Sequence, residues 1–473
     1  MAKAKSKAAI MIADGRGEMA KVQDRRFETG DWPIRFEMPT EQADTWLRYF
    51  FAECERRGWS SGALAQMEAH ENSGSITVNA GRVDKLQLTV VWERKRGGAM
   101  QVRARSAGVP EFPQSETREL FEQINERCRS GAMECVYGRG QLEYDGLPWR
   151  GELWLDHRLR LGPPSRQDET ALLGPRVILV DALVDCVGRR DSADVFGKKL
   201  RELSAFLSVV MGVAVQIPKQ GRVWTWTTTD GVADCAVRNL GYAEQENPQE
   251  MPGRDKYRSM PLRQVNRPDF SLRGVFPDTV EESLPADAAD LWATYCGLTA
   301  DQRRQFLQAA AKWQEALTHS SERSTLSFAL MVIACEALKP TDSQYREHNI
   351  YHVVEALLGK SSGDLLRKDW FRPQDVRNAH LHRGEFRGSE FVLAAIMSNY
   401  YDPTFDQARR TLALITQEAI IEWLRRRGAF TMPGIERRKT VRRWVKEHAL
   451  TLLPIFMTMS FVAGWSLRTF WRS

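Results

Sequence analysis

The hydrophobic rhythm of the chain changes near residue 299: helical and strand periods mix before that point, and the helical period alone remains beyond it. Ala43, Trp46, Leu47, Phe50, Phe51 and Cys54 stand at helical spacing between Pro39-Thr40-Glu41 and Arg56-Arg57-Gly58. An acidic start and a basic end before glycine predict one amphipathic helix there. Strand-like runs follow at Ser75–Asn79, Leu86–Trp92 and Met100–Ala104, then a second helix over Ser115–Ser130 with Leu120, Phe121, Ile124 and Cys128 on one face. Alternation returns in Glu152–Leu161, Arg176–Leu183 and Val223–Thr227, interrupted by a helix from about Ala193 to Met211. The apolar run Ala205–Val215 within this region is too short for a membrane span and predicts a buried core element.

Beyond residue 299 the predicted helices are Ala300–Thr318, Ser324–Leu338, His348–Leu358, Asp364–Trp370, Gln374–His382, Glu390–Tyr400 and Thr404–Arg427. The second is apolar almost all round, as a central bundle helix would be. The last carries Phe405, Ala408, Leu412, Ile415, Ala419 and Trp423 in near-heptad spacing. The expected fold class is multidomain: a mixed α+β N-terminal region, then an all-α helical bundle, then a C-terminal transmembrane helix. The expected divisions are a polar lead-in at 1–29, an α+β module at 30–145, and a β-rich module with its connection at 146–290. The bundle follows at 291–428, and a basic segment with the anchor at 437–473.

The span is expected at Ala449–Leu467, nineteen residues without a charge. As a helix they would measure about 28 Å, close to the roughly 30 Å of a bilayer's hydrocarbon core. Six basic residues precede them (Arg437, Arg438, Lys439, Arg442, Arg443 and Lys446), and only Arg468 and Arg472 follow. That asymmetry predicts the bundle on the cytoplasmic face of an inner membrane. Pro454 and several Ser/Thr residues dilute the segment, so an interfacial or partner-buried helix, in a cytoplasmic protein, is the alternative.

The candidate chemistry lies inside the bundle, in Arg377-Asn378-Ala379-His380-Leu381-His382-Arg383-Gly384. Arginine followed five residues later by histidine, with Asn after the Arg and Gly after the His, resembles the signature of the HEPN superfamily. Two competing pairs, Arg346 with His352 and Arg443 with His448, lack the Asn. The helix Leu326–Leu338 is also similar to the family's first core helix, and Glu336 is its one charge. A carboxylate on so apolar a helix needs a partner, and Arg377 is the natural one, with solvent exposure at the helix end as the alternative. The resemblance covers about 299–427 and is closest to the Apea-like branch, in which a large variable N-terminal region precedes the bundle. It implies a metal-independent endoribonuclease of the bacterial toxin or anti-phage, abortive-infection kind.

In that reading Arg377, His382 and Asn378 are catalytic and Glu336 and His380 supporting. RNA is the substrate, the bundle forms a homodimer, and an unknown trigger acts on the N-terminal region. The residue types suit the chemistry. Cleaving RNA without metal needs proton transfers at the 2′-OH and the leaving 5′-oxygen, which a histidine can make. It also needs positive charge on the phosphorane, which the planar guanidinium fork supplies. An offset of five leaves the two side chains about 140° apart on one helix, so the family pairs two bundles over one cleft. The alternative is a non-catalytic HEPN scaffold that binds RNA, a nucleotide or a protein partner at the membrane.

Composition narrows the field further. Hydrophobic and charged contents of 42% and 27% describe a folded chain. Seven scattered cysteines without a CxxC pair fit a reduced compartment and give no zinc ribbon. His348 and His352 stand at i, i+4, but no acid or cysteine joins them at ligand spacing, so neither metal nor cofactor is expected. The apolar stretch after MAKAKSK ends at Asp14, too soon for a secretory signal. Net charge is +6, yet residues 425–473 alone carry +9, which argues against a body that grips long nucleic acid by its backbone.

Overall fold

The structure, a computed structural model, describes residues 34–432 apart from short stretches, the segments 165–175 and 387–402, and most of 241–280. The chain divides into two compact units: residues 1–132 with 187–191, and residues 133–186 with 192–473.

The first unit holds an antiparallel sheet of β1 (Ile34–Pro39), β2 (Gln66–His70), β3 (Ser73–Asn79), β4 (Gln87–Arg94) and β5 (Ala99–Ala107), in the order β1-β5-β4-β3-β2. Its helices are α1 (Thr40–Arg56) and α2 (Gln114–Ser130), which pack on each other. The periodic apolar positions explain the arrangement. Trp46 and Phe50 of α1 share a core with Leu120, Phe121 and Ile124 of α2 and with Val78, Leu88 and Val90 of the sheet. The Trp46 indole donates to Asn125 Oδ1 at 3.0 Å, so this buried N–H is paired.

The second unit starts from an antiparallel sheet, ordered β10-β6-β9-β8-β7. Its strands are β6 (Glu134–Tyr144), β7 (Leu153–Asp156), β8 (Leu159–Gly162), β9 (Arg176–Cys186) and β10 (Val215–Gln216). A hairpin, β11 (Gly221–Thr229) with β12 (Val232–Leu240), and a short parallel pair, β13 (Gln264–Val265) with β14 (Leu284–Pro285), complete its strands among the described residues. One face of the large sheet carries Leu142, Ile178, Val180 and Ala182 against α3 (Arg189–Met211). β6 escapes the sequence pattern because Gly138 and Gly140 occupy its inward positions. A Cβ on either would come within 2.7 Å of Phe196 or Leu200, so the helix lies where only glycine lets it lie. On the other face, register sets Asp181 of β9 between Arg139 of β6 and Arg160 of β8. Asp181 Oδ1 accepts from Tyr137 Oη at 2.6 Å and Arg139 Nε at 2.7 Å, and Oδ2 from Arg160 Nη1 at 2.6 Å. Arg160 Nε also donates to Glu152 at 2.7 Å.

The helices that follow are α4 (Ala288–Cys296), α5 (Ala300–Thr318), α6 (Ser324–Glu336), α7 (Ile350–Leu358), α8 (Lys360–Lys368), α9 (Pro373–Arg383) and α10 (Pro403–Arg425). The apolar α6 is central, packing against α5, α7, α9 and α10. Thr299 and Gln302 start α5 with a reciprocal capping box. Aromatic rings run in sequence from α3 into the bundle: Phe206 to Trp292 at 5.0 Å, Trp292 to Tyr295 at 5.1 Å, and Tyr295 to Phe306 at 5.3 Å. Sheet and bundle therefore share one core, and the boundary drawn at 290/291 falls inside a single unit.

The expected fold class is corrected at its C-terminal end. Among the described residues the content is mixed α and β with ten helices, and no helix is long and apolar enough to cross a membrane. The two most apolar helices, α7 and α6, have 9 and 13 residues, against about 20 for a span. The two 23-residue helices, α3 and α10, each carry several charged residues, those of α3 within its first fourteen positions. Segment 449–467, on which the sequence places the transmembrane helix, the membrane contact and the inner-membrane location, lies outside the described residues, as does the expected helix 390–400. Nineteen uncharged residues do not by themselves make a span when Pro454, threonines and serines interrupt them.

Candidate active site

Helix α9 forms because Pro373 fixes its first turn, Asp375 favours its positive end, and Gly384 accepts the left-handed stop at φ 67°. Gly384 N–H donates to His380 O at 3.0 Å and Glu385 N–H to Ala379 O at 3.3 Å, closing the last turn. Only Pro373, Val376 and Ala379 are buried, and they face α6. So narrow an apolar stripe leaves the rest of the helix for polar work. Gln374, Arg377, Asn378 and His380 are half-buried beside it, and Leu381, His382 and Arg383 are exposed.

Glu336, on the last turn of α6, is the centre of the half-buried cluster. Burial pushes its carboxyl up from the usual carboxylate range, and Arg377, then Lys339, then the Ile350 backbone N–H only partly offset that. Arg377 Nη2 lies 3.7 Å from Glu336 Oε2, an ionic contact too long for a hydrogen bond. Arg377 Nη1 donates to Asn378 Oδ1 at 2.8 Å, and Gln374 Nε2 reaches the same oxygen at 3.5 Å. Arg377 Nε is buried with no hydrogen-bond partner, as is Gln374 Oε1. The guanidinium is thus aimed by one firm bond and one loose ionic contact, with donors to spare.

The structure brings Arg377, Asn378 and Glu336 together. It does not bring His382 to them within one chain: the imidazole projects from the exposed side of α9. His380 is bound up in the helix end, with Nδ1 3.2 Å from Glu385 O and its ring edge-on to Phe386 at 5.3 Å. His348 and His352 lie with ring centroids 5.2 Å apart. His352 Nδ1 is taken by Asn349 in the cap of α7, and burial, then His348, lowers its pKa. No group of three His, Cys, Asp or Glu suited to a metal occurs among the described residues. Arg346, Arg443 and His448 of the competing pairs lie outside them.

Sequence reasoning missed Gln374 and Lys339. Gln374 stands one turn before Asn378, and Lys339 three residues after Glu336, so helical spacing was the available signal. No family model matches the chain, and neither the curated proteins nor the solved structures contain a match to it.

Proposed function

We propose that this protein is a metal-independent endoribonuclease of HEPN type, working as a dimer through its helical bundle. The observation that supports this reading most is the under-satisfied Arg377 guanidinium, half-buried beside Glu336 with its Nε unpartnered. A phosphate's non-bridging oxygens would complete its hydrogen bonds and take its charge. His382 would serve as proton carrier: the 2′-oxygen loses its proton and bonds to phosphorus, the 5′-oxygen leaves and gains a proton, and a 2′,3′-cyclic phosphate remains. Two bundles are needed to bring an exposed His382 to an Arg377 turned about 140° away. Leu381 and Phe386, 47% and 49% exposed beside His382, offer apolar surface for that pairing. A defence or toxin role, with the first unit as restraint, is part of the same reading and rests on the family resemblance.

A second reading, a non-catalytic scaffold for RNA or a protein partner, draws on the separation of Arg377 and His382 within one chain. Incubating RNA with the full-length protein in EDTA distinguishes the two. Wild type should cleave to 2′,3′-cyclic phosphate ends, and His382→Ala should cleave about 10² to 10⁴ times more slowly. Equal rates in the two proteins, or 3′-hydroxyl products, would contradict the nuclease reading.

A further inference from the structure

A second polar concavity lies in the same unit, away from α9 in sequence and built from other elements. It is a cleft of 320 Å³ between the β7–β8 turn, the end of β9, helix α3 and Arg303 of α5. Four cations line it (Arg158, Lys198, Lys199 and Arg303) together with Asp156, Asp185 and Glu202. Ion pairing accounts for only one of the four cations. Arg158 holds Asp185 through two hydrogen bonds of 2.7 and 2.8 Å. The other two acids are engaged by neutral donors. Asp156 accepts from the Trp292 indole at 2.9 Å and the Arg158 backbone at 2.6 Å, and Glu202 from the Tyr295 hydroxyl at 2.9 Å.

Lys198, Lys199 and Arg303 form no ion pair among the described residues, although Lys199 and Glu202 stand three residues apart on one helix. Lys199 Nζ sits 4.6 Å over the Trp292 ring, and the Arg303 guanidinium 5.4 Å over Tyr295. Arg303 Nη2 donates to Cys296 O at 2.9 Å, while its Nε is buried with no hydrogen-bond partner. Aromatic faces therefore hold Lys199 and Arg303 in place without neutralising them, which keeps their charge available to an anion. Carboxylate oxygens have more than one lone pair, so Asp156 and Glu202 can still accept from hydroxyl groups. A cleft that offers both cations and carboxylate acceptors matches a phosphate ester that carries hydroxyls. Its volume lies at the small end for ligand sites. Trp292 and Tyr295 are fully buried beneath the cations and leave no ring face for a base.

We infer that this cleft binds a small sugar phosphate, with Lys198, Lys199 and Arg303 on the phosphate and Glu202 and Asp156 on the hydroxyls. Calorimetric titration of the full-length protein tests it with ribose 5-phosphate, inorganic phosphate, ribose and adenosine monophosphate. Ribose 5-phosphate should bind at sub-millimolar Kd, inorganic phosphate about tenfold more weakly, and ribose without measurable heat. Arg303→Gln should weaken ribose 5-phosphate about tenfold. Lys198→Ala, at an exposed position and so without effect on folding, should weaken it too. Glu202→Gln should weaken ribose 5-phosphate but not inorganic phosphate. No heat from ribose 5-phosphate at about 10 mM, or equal affinity in wild type and Lys198→Ala/Arg303→Gln, would overturn the inference. Tighter binding of adenosine monophosphate than of ribose 5-phosphate would overturn the choice of ligand.

Discussion

The second unit contains two clusters of opposite charge, and they are satisfied to very different degrees. On the large sheet, Asp181 is fully buried and accepts three hydrogen bonds of 2.6 to 2.7 Å from Tyr137, Arg139 and Arg160. At α9, Glu336 and Arg377 are both partly exposed, 3.7 Å apart, and a guanidinium nitrogen has no partner. Closed networks fix strand register, because every buried lone pair and proton has one place to go. An open cluster gives up that stabilisation and keeps donors for something that arrives. The two clusters differ in what remains unpaired, a difference that burial or charge alone would not reveal.

The comparison breaks first on the sheet. Asp181→Asn leaves Arg139 and Arg160 buried with one carboxylate fewer, and removing one partner of such a network costs about 3–5 kcal/mol. Thermal unfolding of the second unit should move down by roughly 10 °C. A fall under about 2 °C would mean that this network is no more structural than the one at α9.

A smaller effect sharpens the other side. Because burial raises the Glu336 carboxyl in the folded state, the folded protein binds more protons than the unfolded chain as pH rises above the ordinary carboxylate value. The contribution of Glu336 to stability is therefore full below its unfolded pKa and is lost as pH rises through the folded one. Glu336→Gln should flatten that part of the stability–pH curve and change stability near neutrality by about 1 kcal/mol or less, since the lost Arg377 contact offsets the relieved burial. Parallel wild-type and mutant urea midpoints from pH 4 to 7 would contradict this.

Much of the fold was legible from periodicity. Ser73–Asn79, Gln114–Ser130 and Ala300–Thr318 lie where alternation or helical spacing places them. Three misses have physical causes. β6 hides behind Gly138 and Gly140, whose lack of side chains removes the hydrophobic signal at the place where α3 packs closest. Glu152–Leu161 reads as one strand because a two-residue turn at His157-Arg158 barely interrupts its alternation. α4 is short and follows a proline-rich connection, so its spacing covers little more than two turns. At the site, Glu336 was conspicuous as the lone charge on an apolar helix, and Arg377 as the basic residue of a motif. The Asp181 network and the sugar-phosphate cleft were not legible. They are assembled from residues far apart in sequence, by strand register and by helix packing that no local pattern encodes.

On the proposed reading the open cluster at α9 serves chemistry and not folding. RNA cleavage in EDTA decides this, measured for wild type and Arg377→Gln at a temperature where unfolding curves show both folded. The variant should lose at least about 10²-fold in rate while its Tm stays within about 3 °C of wild type. An unchanged rate, above all with a lowered Tm, would make Arg377 a structural residue.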